Sequence, residues 1–217
     1  MTTPVASLRS AAYNARMRDA IILTGIKHCG KSTLGRLLAK LMRVPFDDAD
    51  DVILRQTGLS PREAYLRLGE AGFRRAEEAA CRALSARAEE RAVIAAGGGI
   101  CGNPRAFSVL RSCGRTVYLA VSEAAAFARI AGEITVRPDG RLDGVPAYIA
   151  REQPRSVADV RAAFSRVYAE RAALYLAAAD TVFAPSDSSP EANADALYAL
   201  LNAPPRQNDV FVLCLPP

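Results

Sequence analysis

Histidine and lysine are the scarce residues of this chain: 217 residues carry one histidine, His28, three lysines, Lys27, Lys31 and Lys40, and no tryptophan. With one histidine there is almost no material for a Ser/His/Asp triad or a histidine-rich metal centre. The five cysteines, Cys29, Cys81, Cys101, Cys113 and Cys214, fall in no CxxC or Cys/His ligand spacing, so they read as buried free thiols of a reducing compartment. No apolar run approaches the ~18 residues of a membrane span, and residues 1–19 carry Arg9, Arg16 and Arg18 without an apolar core, which argues against a secretory signal. A cytoplasmic protein with no membrane partner is the expectation. Nor is there an aromatic platform or a clustered basic face, so nucleic acid is not the expected partner although net charge is +5 and the pI is near 9.1.

What is present is an ordinary globular composition, 50% hydrophobic and 24% charged, of a length that suits one domain. Residues 1–19 read as a flexible leader, 20–203 as the domain and 204–217 as a tail, in which Val210–Leu215 is either an edge strand or an unstructured apolar stub. Short apolar runs at Ala20–Thr24, Val44–Asp47, Ala92–Ala96, Thr116–Val121 and Thr181–Ala184 predict strands. Between them, helical spacing predicts helices at Lys31–Met42, where Leu34, Leu37, Leu38 and Leu41 repeat, and over 60–91 behind Ser60-Pro61. Further helices are expected at Pro104–Leu110, from Ser122 to about Ala131, at Val160–Ala179 and at Pro190–Asn202. Residues 132–159, rich in glycine and proline, read as an irregular excursion of the lid type. Alternating strands and helices imply an α/β sandwich, helices flanking a mostly parallel sheet.

Three loops carry chemistry. Gly25-Ile26-Lys27-His28-Cys29-Gly30-Lys31-Ser32 fits GxxxxGK[ST] between a predicted strand and helix, with Thr33 following. Such a loop turns backbone N–H groups onto a polyphosphate. Lys31 then reaches the β- and γ-phosphates, and Ser32 completes a Mg²⁺ shell. His28 reads as a spacer at the phosphate mouth. After the second strand, Asp48 and Asp50 alternate, so in extended chain both carboxylates project from one side. One suits Mg²⁺ through water and the other a substrate hydroxyl proton. Gly97-Gly98-Gly99 after the third strand permits close approach of a ligand to backbone amides, or is a plain flexible turn.

Together with Phe73-Arg74-Arg75, Glu77 and Glu78, Val136-Arg137-Pro138 and Arg171-Ala172-Ala173-Leu174-Tyr175, these motifs stand in the order found in shikimate kinases. Over roughly residues 20–200 the chain resembles that family. The resemblance implies transfer of the ATP γ-phosphoryl group to the 3-hydroxyl of shikimate, a sheet of strand order 2-3-1-4-5, a lid at about 132–159 and a monomer. It implies that Asp50 holds the ring hydroxyls beside the attacking oxygen, that Asp48 joins Ser32 on the Mg²⁺ side, and that Arg74 and Arg171 pair with the carboxylate. Glu77 would orient Arg74, Gly97, Gly98 and Gly99 would contact the substrate, and Arg137 would close over the phosphates. Two departures stand out. Pro138 leads into Asp139-Gly140-Arg141 rather than apolar residues, and the stretch from Arg137 to Arg171 is long, so Arg141, Arg151 and Arg155 are alternatives to Arg137. A gluconate-type kinase and a nucleotide-binding regulator without catalysis are the competing readings.

Overall fold

The computed structural model describes residues 19–87 and 91–203. The expected leader and tail, including Val210–Leu215, therefore lie outside the described residues. The central strand β1, Ala20–Thr24, is buried along its whole length. It pairs in parallel with β3, Val93–Ala95, on one side and with β4, Gly114–Leu119, on the other. Strand β2, Phe46–Asp48, adds to β3, and β7, Thr181–Phe183, adds to β4, both in parallel. The five-stranded order is thus β2-β3-β1-β4-β7, the expected order once two short strands between β4 and β7 are numbered.

Side chains of a strand alternate between faces, so β1 feeds two cores. Ile21 and Leu23 pack with Leu34 and Leu38 of α1 (Lys31–Met42), Phe127 and Ile130 of α5 (Glu123–Ala131) and Leu197 of α8 (Pro190–Asn202). Ala20 and Ile22 face Val52 and Ile53 of α2 (Ala49–Thr57), Leu84 of α3 (Pro61–Arg87), Leu110 of α4 (Pro104–Arg111) and Tyr175 of α7 (Val157–Ala178). Caps set the helix starts. The hydroxyls of Ser122, Ser156 and Ser189 accept from the N–H groups of Ala125, Asp159 and Ala192. Ser60 and Glu63 satisfy each other reciprocally at the start of α3. Among the described residues no helix is long and apolar enough to cross a membrane.

Four expectations need correction. The chain turns helical immediately after Asp48, because its carboxylate caps α2 by accepting from the Asp50 N–H; Asp48 and Asp50 therefore do not share an extended strand. The helix expected over 60–91 is seen as Pro61–Arg87, with residues 88–90 outside the described residues, and it is broken at Gly69, whose φ of 67° and ψ of 176° lie outside the helical region. Leu41, placed on the apolar stripe of α1, is 40% exposed, since α8 covers Leu34 and Leu38 instead. Residues 132–159 are not irregular throughout. They hold a hairpin of β5, Thr135–Val136, and β6, Leu142–Asp143, and the one-turn helix α6, Ala147–Ala150.

Candidate active site

Between β1 and α1 the chain makes a tight turn. Gly25 has φ 141° and Gly30 φ 96°, conformations that favour glycine, and a Cβ on Gly25 would lie 2.9 Å from the Leu119 carbonyl oxygen. His28 also adopts a positive φ, 64°. Gly30 caps α1 without a side chain, so the free N–H groups and positive dipole end of the helix open toward a cavity of about 500 Å³. Lys27, His28, Cys29, Gly30, Lys31, Ser32 and Thr33 all line it, as the sequence predicts, and Gly25 shapes the loop behind them.

Lys31 is only 9% exposed, and its ammonium donates to the carbonyls of Gly25 and Ile26 at 3.0 Å each. The Ser32 hydroxyl donates to Asp48 Oδ2 at 2.5 Å, which ties the head of α1 to the end of β2. Asp50, one residue into α2, opens on the same cavity. Surrounding protein and the Asp48 carboxylate disfavour its charge and raise its pKa. Arg129 donates to the His28 carbonyl at 2.6 Å, and Pro185, Ser186, Ser188 and Asn193 form the far wall. Asn193 shapes that wall by donating to the carbonyls of Ser186, Ser188 and Ser189. Sequence reasoning missed these residues; the Pro/Ser-rich stretch from Pro185 to Pro190 was their one local signal.

A second cavity, about 390 Å³, adjoins the first, and Lys27, Asp50 and Gly98 line both. Its walls carry Arg74 from α3, Arg171 from α7, and Gly97, Gly98 and Gly99. The structure thus brings together residues separated by almost a hundred positions. Arg171 donates to the Gly98 carbonyl at 3.0 Å, and its guanidinium lies 4.4 Å from the centroid of the Tyr148 ring. The triple glycine has a packing reason beyond flexibility: a Cβ on Gly98 would meet the Lys27 backbone nitrogen at 2.9 Å.

Glu77 is placed differently from expectation. It is 2% exposed, and its carboxylate accepts from Asn103 Nδ2 at 3.0 Å rather than holding the Arg74 guanidinium. Arg74 donates instead to Glu70 at 2.7 Å, one helical turn back. Burial pushes the Glu77 pKa up to about 7. Asn103, also missed, donates as well to the Arg74 carbonyl and caps α4, so one amide ties both elements. Arg137 lines neither cavity; just after β5 it donates to Asp143 of β6 at 2.5 Å. Arg141 and Arg155 are likewise outside both, while Arg151 lines the second cavity.

No cluster of three or more His, Cys, Asp or Glu side chains suited to a metal occurs among the described residues. Ser32 and Asp48 nevertheless suit Mg²⁺, which keeps waters and binds through one or two protein oxygens plus phosphates.

A family model described as shikimate kinase matches residues 27–202. A shikimate kinase of Synechococcus sp. is 34% identical over 201 residues, covering 93% of each chain. One from Rhodopirellula baltica is 36% identical over 150 residues, covering 65% of this chain and 79% of its own. Among solved structures, shikimate kinase from Bacteroides thetaiotaomicron is 26% identical with a TM-score of 0.69, covering 85% of this chain and 99% of its own. Shikimate kinase from Acinetobacter baumannii in complex with shikimate shares the fold at 24% identity and a TM-score of 0.67, covering 88% and 96%.

Proposed function

The chain belongs to the shikimate kinase family, and from that premise we infer how its residues carry phosphoryl transfer. It is a kinase that uses ATP and phosphorylates shikimate. The single observation that carries the assignment of residues is the junction of the two cavities at Lys27, Asp50 and Gly98. A polyphosphate on the α1 amides ends at that junction, and so does a small acid held from the other side.

In this reading Lys31 leaves its loop carbonyls for the β- and γ-phosphates, and the amides of Gly30 to Thr33 neutralise charge on them. Arg74 and Arg171 take the carboxylate, since a planar guanidinium matches two oxygens at once. Asp50 holds the ring hydroxyls and accepts the proton of the attacking 3-hydroxyl; its raised pKa supports that task. Gly97, Gly98 and Gly99 complete the floor. Ser32 and Asp48 would hold Mg²⁺, which would neutralise phosphate charge. Arg137 reaches the phosphates through movement of its hairpin, where its side chain is exposed and, among the described residues, paired with Asp143.

A monomer is the proposed working unit. The free, buried Cys29, Cys81, Cys101 and Cys113 support a cytoplasmic setting, and Cys214 lies outside the described residues. We retain 20–203 as the catalytic domain with its lid at about 132–159. A panel of hydroxy acids assayed for ADP release tests the reading. Turnover of shikimate is expected, and turnover of gluconate without shikimate would overturn it.

A further inference from the structure

Beside Arg74 and Arg171, the second cavity is lined by two more arginines that the roles above leave unused, Arg62 and Arg151. Arg151 closes the one-turn helix α6 and lines the cavity with Arg74 and Arg171. Its Nη1 donates to Glu70 Oε2 at 2.9 Å and to the Tyr65 hydroxyl at 3.1 Å. The other oxygen of the same carboxylate accepts from Arg74 Nη2. One carboxylate thus sets two guanidiniums side by side, and each has donors left over. Among the described residues Arg151 engages only Nη1 and Arg74 only Nη2 in hydrogen bonds. Neighbouring contacts hold this arrangement: Arg62 donates to the Val145 carbonyl, and Tyr148 of α6 lies under the Arg171 guanidinium. Against Lys27, Arg62, Arg74, Arg151 and Arg171 stand Asp50, Glu70, which is shared, and Glu77, which is engaged by Asn103. The cavity wall is therefore cationic in excess, as a site for an organic anion must be.

We propose that Arg151 is a specificity-determining residue of the acid cavity, a third guanidinium that recognises the carboxylate of the acceptor beside Arg74. The inference rests on the assignment of that carboxylate to Arg74 and Arg171. Glu70 fixes where the two forks stand, and the free edge of Arg151 supplies hydrogen bonds that a neutral acceptor cannot return with charge. Arg151 thereby favours an acid over its uncharged analogue, while the transfer step at Asp50 is untouched.

Steady-state kinetics with shikimate and its neutral carboxamide test this in Arg151→Gln, Arg151→Lys, Arg74→Gln and the double variant Arg151→Gln/Glu70→Gln. For Arg151→Gln, KM for the acid should rise about tenfold while kcat and the carboxamide KM hold, the size of a charged hydrogen bond lost. Arg151→Lys should recover part of the loss and also provides the readout should the glutamine variant not fold. Restored acid preference in the double variant would mean that Arg151 only neutralises Glu70, and would overturn the proposal. So would an equal rise in KM for both acceptors, the mark of a merely structural role. Loss of preference in Arg74→Gln with full preference in Arg151→Gln sinks this inference alone. A wild-type chain indifferent to acid or amide sinks the carboxylate assignment with it.

Discussion

The two cavities are built by opposite means. The phosphate cavity is made mostly of backbone: seven consecutive residues, Lys27 to Thr33, wrap it, and helix geometry aims their amides. The acid cavity is made of side chains delivered by α3, α6 and α7 over the glycine turn after β3, each set by packing elsewhere. A backbone cradle tolerates many side chains but few changes of φ. A side-chain cradle depends on counter-ions such as Glu70 and supports such as Asn103 and Tyr148, and small changes there alter which acid fits. Affinity for nucleotide and selectivity for acceptor are thereby held in separate parts of the molecule, joined at Asp50.

Substitutions at the junction should hurt most. Asp50→Asn removes the proton acceptor and should lower kcat by roughly 10²- to 10⁴-fold, with nucleotide binding retained in equilibrium titrations. Next is Lys31→Met, expected to lose about 3–4 kcal/mol of transition-state stabilisation, by comparison with removal of one preorganised donor; kcat/KM for ATP reads it. Glu77→Gln probes the acid side through stability. The Glu77 carboxyl is pushed from an ordinary 4.5 to about 7 by burial, so between those values the folded chain keeps a proton that the unfolded chain has lost. Stability contributed by the protonated form is full below the lower value and disappears as pH rises through the upper one. Denaturant melts should show the variant gaining about 3 kcal/mol on the wild type between acid and mildly alkaline pH. A flat difference would mean that Glu77 stays charged. Smallest is Arg74→Lys, which keeps the charge and loses the fork, and should raise KM for shikimate about tenfold with kcat nearly constant. If it instead raised KM for ATP, the division between the cavities would be wrong.

How much was legible follows the same division. The five strands and the phosphate loop could be read from short apolar runs and one motif, because local periodicity and glycine placement carry them, whereas the strand order was implied only by the family resemblance. Asp48 and Asp50 were identified as chemistry-bearing residues although their local conformation was misread; an aspartate caps its own helix as readily as it ends a strand. The break at Gly69 escaped notice because Glu- and Ala-rich sequence continues on both sides of it. Asn103, Tyr148 and Glu70 act through tertiary neighbours, and only the four-residue spacing of Glu70 and Arg74 left a trace in the sequence. Arg137 and Arg151 were grouped as alternatives because the lid stretch is long, yet the fold sends one to a hairpin edge and the other into the acid cavity.

Separate calorimetric titrations of ADP and of shikimate into the wild type and Arg74→Ala test the two-cavity account most directly. Arg74 lies outside the phosphate cavity, and its guanidinium is paired with Glu70 alone among the described residues. Nucleotide affinity should stay within about twofold while shikimate weakens about tenfold or more, the loss of a charge-assisted pair. Weakening of both ligands together, or of the nucleotide alone, would contradict it.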